Sequence, residues 1–125
     1  MTDATSRPSD RELQILGVLW RHGACTVREV HERMTGADVE YNTIGKLLQI
    51  MQDKGLVRRD ESERAHRYVA VVEEETTQRG LLRDLLARAF DGSAAGLVLR
   101  ALEEEEIGAA DRERIRRLLD AMESR

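Results

Sequence analysis

The fold of this 125-residue chain is decided by residues 26–55, TVREVHERMTGADVEYNTIGKLLQIMQDKG. Thr26 and Glu29 have the spacing of a capping box, in which each side chain hydrogen-bonds the other residue's backbone N–H at the start of a helix. This signal predicts a short helix over VREVHERM. The helical spacing of its apolar residues predicts a buried stripe formed by Val27, Val30 and Met34.

A second helix is predicted after a break at Gly36-Ala37-Asp38. It runs from about Tyr41 to Lys54, and Gly55 is its natural C-cap. Its apolar residues, spaced i, i+3, i+4 and i+7, are Ile44, Leu47, Leu48 and Met51. Two helices joined by a short turn containing glycine are typical of a helix-turn-helix, whose second helix can enter the major groove of DNA.

The chain upstream of this pair predicts one more helix and an N-terminal arm. Ser9 with Glu12 is another capping box, and it opens a helix from about Asp10 to Arg21 that His22-Gly23 ends. Residues 1–8 are polar, contain the only proline and are predicted to be a flexible arm. The apolar stripe of this first helix is predicted at Leu13, Leu16, Gly17 and Trp20.

Residues 56–72, LVRRDESERAHRYVAVV, predict a β-hairpin because the polar DESE separates two strand-like runs. A hairpin directly after a helix-turn-helix is a wing, so residues 9–72 are predicted to form a winged-helix domain. Residues 73–125 predict three further amphipathic helices, broken at Asp91-Gly92-Ser93 and at Gly108. The expected fold class is therefore mainly α with a small β-hairpin.

Charge is distributed unevenly along the chain. The formal net charge is -4, yet through Val72 the chain carries 11 Lys and Arg against 11 Asp and Glu, so the acidity lies in the C-terminal part. A DNA-binding protein needs a local basic face and not a basic total. No run approaches the roughly 18 to 20 apolar residues of a membrane span, and the start lacks the apolar core of a signal peptide. These features predict a cytoplasmic protein without membrane insertion.

The polar face of the predicted second helix of the pair carries the candidates for reading DNA bases. At about 100° per residue, Asn42, Lys46 and Gln49 lie opposite the apolar stripe. Asn and Gln can bond adenine edges, and Lys can reach guanine acceptors. A plain solvated helix face is the alternative interpretation of the same pattern.

Phosphate contacts are predicted beside this face and along the wing. A hydroxyl or free backbone N–H at a helix start, or a cation on the hairpin, can bind a phosphate. The candidates are Thr26, Thr43, Lys54, Arg58, Arg64 and Arg67. Asp60, Glu61 and Glu63 dilute the basic patch, so a charge-mixed solvated hairpin is the competing interpretation. In an alternating strand Arg58 and Arg59 cannot both face DNA.

The chain offers no pattern that predicts catalysis, a cofactor or a metal site. His22, His31 and His66 lack zinc-ligand spacing, and the single cysteine, Cys25, cannot complete a ligand set. Cys25 is expected to be a small buried hydrophobe rather than a redox sensor. No nucleophile stands with a recognisable base, and no Gly-rich phosphate loop follows a strand, so an enzyme is the least favoured class.

Five fragments in fixed order resemble the penicillinase repressor family of BlaI and MecI, to which the copper repressor CopY is related. They are LQILGVLWRHG, TVREVHERM, YNTIGKLLQIMQDKGLVRR, RAHRY and FDGSAAGLVLRALEEEEI. The resemblance covers about Asp10 to the C-terminus. It implies a winged-helix repressor that binds an inverted-repeat operator in double-stranded DNA, and relief by proteolysis that a membrane sensor-transducer metalloprotease triggers.

The resemblance also implies a homodimer formed by intertwined C-terminal helices. Their apolar residues become the expected dimerisation set: Leu82, Leu85, Leu86, Phe90, Leu97, Val98, Leu102, Ile115, Leu118, Leu119 and Met122. The family's scissile Asn-Phe pair corresponds here to Arg100-Ala101. The chain departs from the family at GKLLQI, residues 45–50, and at Glu63, where a glycine is common, so its operator sequence and its hairpin tip are expected to differ from those of the family. The cysteine cluster of the copper repressors is absent from the sequence.

Two alternatives to an operator-binding repressor released by proteolysis stay open at the level of the sequence. One is a winged-helix module that binds proteins and no longer binds DNA. The other is a repressor released by a small ligand, for which the sequence identifies no pocket. The basic wing and the face of Asn42, Lys46 and Gln49 favour DNA binding.

Overall fold

A computed structural model of the chain describes residues 7–34 and 38–124. It contains helices α1 (Asp10–His22), α2 (Val27–Arg33) and α3 (Tyr41–Lys54), then strands β1 (Val57–Asp60) and β2 (Arg67–Ala70). Helices α4 (Glu74–Ala89), α5 (Ala94–Glu104) and α6 (Ala109–Glu123) follow. The mainly α class with one hairpin is confirmed. Most of the predicted arm, residues 1–8, and most of the Gly36-Ala37-Asp38 break lie outside the described residues.

Local signals start α1 and α2 and end α1 and α3 as predicted. Ser9 and Thr26 are the N-caps of α1 and α2, and both capping boxes are complete. Gly55 ends α3 at a φ of 82°, in the left-handed region that other residues enter only with strain. The bounds of α3 agree with the prediction because a capped, strongly periodic segment leaves few alternatives.

The chain divides into two compact units, Met1–Arg79 and Gly80–Arg125. The first unit packs α1, α2 and α3 against one another and against the antiparallel pair β1 and β2, in which Val57 is opposite Ala70. Its fully buried centre is formed by Ile15, Leu16, Cys25, Val30, Ile44, Leu48 and Met51. The prediction that Cys25 is a buried hydrophobe is confirmed.

The stripe predicted for α1 is wrong in part. Leu16 is buried as predicted, but Leu13 and Gly17 are only half-buried. Ile15 and Leu19, which were not predicted in the stripe, are buried in the core instead. The reason is that α1 contacts α2, α3 and β2 at once, so that it buries a broader and differently oriented face than one row of residues.

The connection around Cys25 joins the helices to the hairpin. Cys25 and Tyr68 exchange two backbone hydrogen bonds, of 3.0 and 2.7 Å, as an isolated antiparallel bridge beside β2. The indole N–H of Trp20 donates to the carbonyl oxygen of Val72 at 3.0 Å, beyond the end of β2. These bonds attach both ends of β2 to the helical core.

The second unit is built from helices that bury nothing completely. Among residues 80–124, every side chain is exposed or half-buried. Ser93 caps α5 by accepting from the Gly96 N–H at 2.9 Å, and Asp91 and Gly92 take positive φ values in the turn before it. In the described part of the chain, no helix is long and apolar enough to cross a membrane.

Candidate nucleic-acid interface

Helix α3 presents one face to the core and leaves the opposite face open. Ile44, Leu48 and Met51 are completely buried, which fixes the rotation of the helix about its axis. Asn42, Lys46 and Gln49 are therefore exposed together on the far side. Thr43 is also exposed, in the first turn of the helix.

The start of α3 is held by α2 through His31. The Nε2 of His31 lies 2.9 Å from the carbonyl oxygen of Val39, just before the helix begins. The His31 ring also meets the Tyr41 ring edge-on, with centroids 6.0 Å apart. His31 thus connects α2 to two residues at the start of α3, a role that the sequence pattern did not predict.

The end of α3 is held by α1 through an ion pair. Lys54 Nζ lies 2.8 Å from Glu12 Oε1, and the Glu12 side chain is only 3% exposed. Burial would raise the pKa of Glu12, but hydrogen bonds from Lys54 and from the Ser9 backbone N–H outweigh it, and the pKa is lowered. Lys54, predicted to contact phosphate, is thus paired with a carboxylate of its own chain.

Arg67 makes a comparable connection between the hairpin and α2. Its Nη1 lies 2.8 Å from Glu29 Oε1, the same oxygen that accepts the Thr26 backbone N–H at 2.9 Å. The Thr26 hydroxyl accepts the Glu29 N–H at 3.1 Å. The backbone hydrogen bond from Thr26 and then the Arg67 charge lower the pKa of Glu29. Two predicted phosphate contacts, Thr26 and Arg67, therefore share one carboxylate.

The remaining predicted cations of the hairpin project outward. Arg58 and Arg64 are exposed, and neither forms an ion pair with a described residue. Arg59 is instead held within the hairpin by Tyr68 and by Glu61, whose Oε2 lies 2.6 Å from Arg59 Nη2, and these partners raise its pKa. The prediction that Arg58 and Arg59 point differently agrees with this arrangement.

Sequence reasoning missed the partners of the charged groups that orient α3 and the hairpin, and it missed one exposed residue of α3. Glu12 and Glu29 were recognised as capping residues, but their cationic partners lie 42 and 38 positions away and no local pattern reveals them. Ile50 is 45% exposed on α3, outside the apolar stripe. The helical spacing of the sequence already indicates this position for Ile50. Of the five aliphatic and Met side chains of α3, the other four form one stripe and Ile50 lies outside it.

The apolar residues expected to form the dimer interface are accessible in the single chain. Leu118, Leu119 and Met122 of α6 are 60%, 57% and 53% exposed. Leu82 and Leu85 of α4, with Val98 and Leu102 of α5, are each more than two-fifths exposed. The other four, Leu86, Phe90, Leu97 and Ile115, are half-buried.

Comparisons with known proteins agree with this architecture. The chain is 34% identical over 122 residues to the transcriptional regulator BlaI of Mycobacterium tuberculosis, covering 95% of this chain and 87% of that protein. It is 22% identical to the penicillinase repressor of Bacillus licheniformis, covering 94% of this chain and 92% of that protein. A crystal structure of a MarR-family transcription regulator matches with a TM-score of 0.50 at 18% identity, covering 98% of this chain and 70% of that one.

The MarR-family match supports a winged-helix fold and, at 18% identity, nothing finer. The sequence model of the penicillinase repressor family matches residues 8–121, from the first described residues to the last helix. The relatives are named as transcriptional regulators or repressors and not as enzymes. The chain therefore belongs to the penicillinase repressor family of winged-helix transcriptional repressors.

Proposed function

We propose that this chain is a cytoplasmic, dimeric repressor that binds an inverted-repeat operator in double-stranded DNA through α3. The observation that carries the proposal is the open face of α3, where Asn42, Lys46 and Gln49 are exposed while the opposite face is buried. In the major groove these three side chains would read base edges by hydrogen bonding.

Phosphates would be held by the groups that the fold leaves open. Thr43 at the start of α3 and the exposed cations Arg58 and Arg64 are the proposed contacts. The polar groups of Thr26, Lys54 and Arg67 already bind Glu29 or Glu12. We assign to these three the positioning of α2, α3 and the hairpin against the DNA.

Selection of bound DNA from a random library tests the operator proposal directly. We expect an inverted repeat, and we expect Lys46→Ala or Gln49→Ala to weaken binding to it by about 1 to 3 kcal/mol while relaxing one base position per half-site. Asp53→Asn, at the far end of the same helix face, removes a negative charge and should therefore weaken binding to neither the selected nor the random DNA. Equal weakening on selected and random DNA would contradict base reading by these residues.

Salt dependence separates phosphate contacts from positioning residues. Arg64→Gln should reduce the slope of log K against log salt concentration by about 0.9 for each phosphate that the arginine neutralises. Arg67→Gln should weaken binding with a smaller change in slope, because its charge is shared with Glu29. If Arg67→Gln flattens the slope as much as Arg64→Gln does, Arg67 contacts phosphate as the sequence predicted.

The dimer and its release are the remaining parts of the proposal. The exposed apolar residues of α4, α5 and α6 support a helical interface with a second copy. Release by a membrane sensor metalloprotease rests on the family resemblance, and the proposed bond, Arg100-Ala101, is exposed within α5. Terminal sequencing of repressor fragments from induced cells would locate the cleavage, and fragments that begin elsewhere than Ala101 would reject this bond.

A further inference from the structure

Ile50 is the aliphatic residue of α3 that the core does not use. It is 45% exposed, whereas Ile44, Leu48 and Met51 are completely buried and Leu47 packs partly against the core. Tyr41, the other half-exposed large hydrophobic residue of α3, has the His31 ring beside it. Among the described residues, Ile50 belongs neither to the buried core nor to the half-buried residues that pack against it.

The position of Ile50 places it along the edge of the proposed reading face. It follows Lys46 by four residues, so the two side chains lie about 40° apart around the helix axis, one turn from each other. It follows Thr43 by seven residues and so lies almost in line with it. Thr43, Lys46 and Ile50 therefore form one exposed row, with the apolar residue at its C-terminal end.

The chemistry of the major groove limits what an isoleucine in this row can contact favourably. Base edges there carry hydrogen-bond donors and acceptors. An aliphatic side chain that displaces water from these groups and forms no hydrogen bond with them makes an unfavourable contribution to the free energy of binding. The apolar group on the groove floor is the C5-methyl of thymine. A methyl group against Ile50 removes apolar surface of both partners from water.

We infer that Ile50 is a specificity-determining residue that recognises the C5-methyl group of a thymine in each operator half-site. Four residues advance about 6 Å along a helix, and base pairs are about 3.4 Å apart, so this thymine lies within about two base pairs of the base that Lys46 contacts. The inference rests on the proposed insertion of α3 into the major groove, and it adds an apolar contact to the hydrogen bonds of Asn42, Lys46 and Gln49.

Removing single methyl groups from the DNA tests the inference. In the selected operator, each thymine is replaced in turn by deoxyuridine, and the Kd is measured by fluorescence anisotropy for the unmodified protein and for Ile50→Ala. We expect that replacing one particular thymine in both half-sites raises the Kd of the unmodified protein about fourfold for each half-site, which is the effect of one buried methyl group. Ile50→Ala should bind the thymine and deoxyuridine operators equally.

Matched controls make the outcome specific. Val71→Ala truncates an aliphatic residue outside α3 that is also about half exposed, and it should keep the full response to deoxyuridine. The inference is overturned if the unmodified protein binds every deoxyuridine operator as tightly as thymine, or if Ile50→Ala retains the methyl response. Failure to select any DNA would overturn the proposed function as well, whereas tight operator binding without a methyl effect would overturn only the role of Ile50.

Discussion

The two units of this chain use the same kinds of residues in different ways. In the first, ion pairs join separate elements, such as Lys54 of α3 with Glu12 of α1, and seven side chains are completely buried. In the second, ion pairs such as Arg88–Asp84 and Arg116–Glu113 join residues three or four apart on one helix. Pairs of that local kind stabilise a helix by a few tenths of a kcal/mol each and do not position one helix against another.

This difference indicates where each unit obtains its stability. The first unit closes a core within one chain, so its exposed α3 face is available for a ligand. The second leaves leucines on α4, α5 and α6 open to solvent, and large exposed apolar surface is typical of a protein interface. A second copy of the chain is the partner that we propose for it.

The largest effect is expected from a charge placed on the open face of α6. Leu118→Glu would bury a carboxylate in the proposed dimer interface, so we expect monomers by sedimentation equilibrium and loss of operator binding at concentrations that saturate the unmodified protein. Arg117→Glu places the same carboxylate on the other side of α6, with an even larger change in charge, and should leave the dimer intact. An intact Leu118→Glu dimer would show that this face does not pair.

A substitution that creates a cavity in the core of the first unit should lower the stability of the folded chain and leave the dimer interface unchanged. Leu48→Ala removes a completely buried side chain and should lower the free energy of unfolding by about 3 kcal/mol in denaturant titrations. Val71→Ala, at a 54% exposed position, should change it by less than about 0.5 kcal/mol. A small effect of Leu48→Ala would mean that the core can collapse around the gap.

The ion pair between α1 and α3 should contribute a smaller, pH-dependent amount. Lys54→Met leaves the Glu12 carboxylate buried without its cation, and we expect a loss of about 2 kcal/mol at neutral pH. Because the pKa of Glu12 is lowered in the folded protein, this stabilisation is present above its ordinary value of 4.5 and is lost as the pH falls through the lowered value. The difference between the two proteins should therefore shrink below about pH 4.5 in thermal unfolding monitored by circular dichroism. A difference that grows on acidification would contradict the assignment.

The smallest effects concern two glycines at the middle and the end of α3. A Cβ at Gly45 would meet only Val27 Cγ1 at 3.9 Å, an ordinary contact, so Gly45→Ala should stabilise the first unit by about 0.5 to 1 kcal/mol. Gly55→Ala should destabilise it by about 1 kcal/mol, because Gly55 has a φ of 82°. If both variants shift the melting temperature in the same direction, the backbone conformation at Gly55 does not determine whether an alanine stabilises or destabilises the protein.

Sequence and structure agree most closely where the signals are local. The capping boxes at Ser9 and Thr26, the apolar period of α3 and the stop at Gly55 depend on residues within about four positions of one another, and each is present as predicted. The exposure of Asn42, Lys46 and Gln49 follows from the same periodicity, and the burial of Cys25 follows from its residue type. Short-range patterns are readable because each one satisfies its own hydrogen bonds or its own apolar face.

The partners of the charged groups were decided by the tertiary structure alone. Nothing near Lys54 or Arg67 in the sequence indicates that their charges bind Glu12 and Glu29, since those carboxylates come close only when α1, α2, α3 and the hairpin pack together. The orientation of α1 was also set by packing, because three elements contact it at once. The sequence by itself thus determined the helices and the face of α3 that we propose contacts DNA, whereas packing decided which cations remain exposed beside that face.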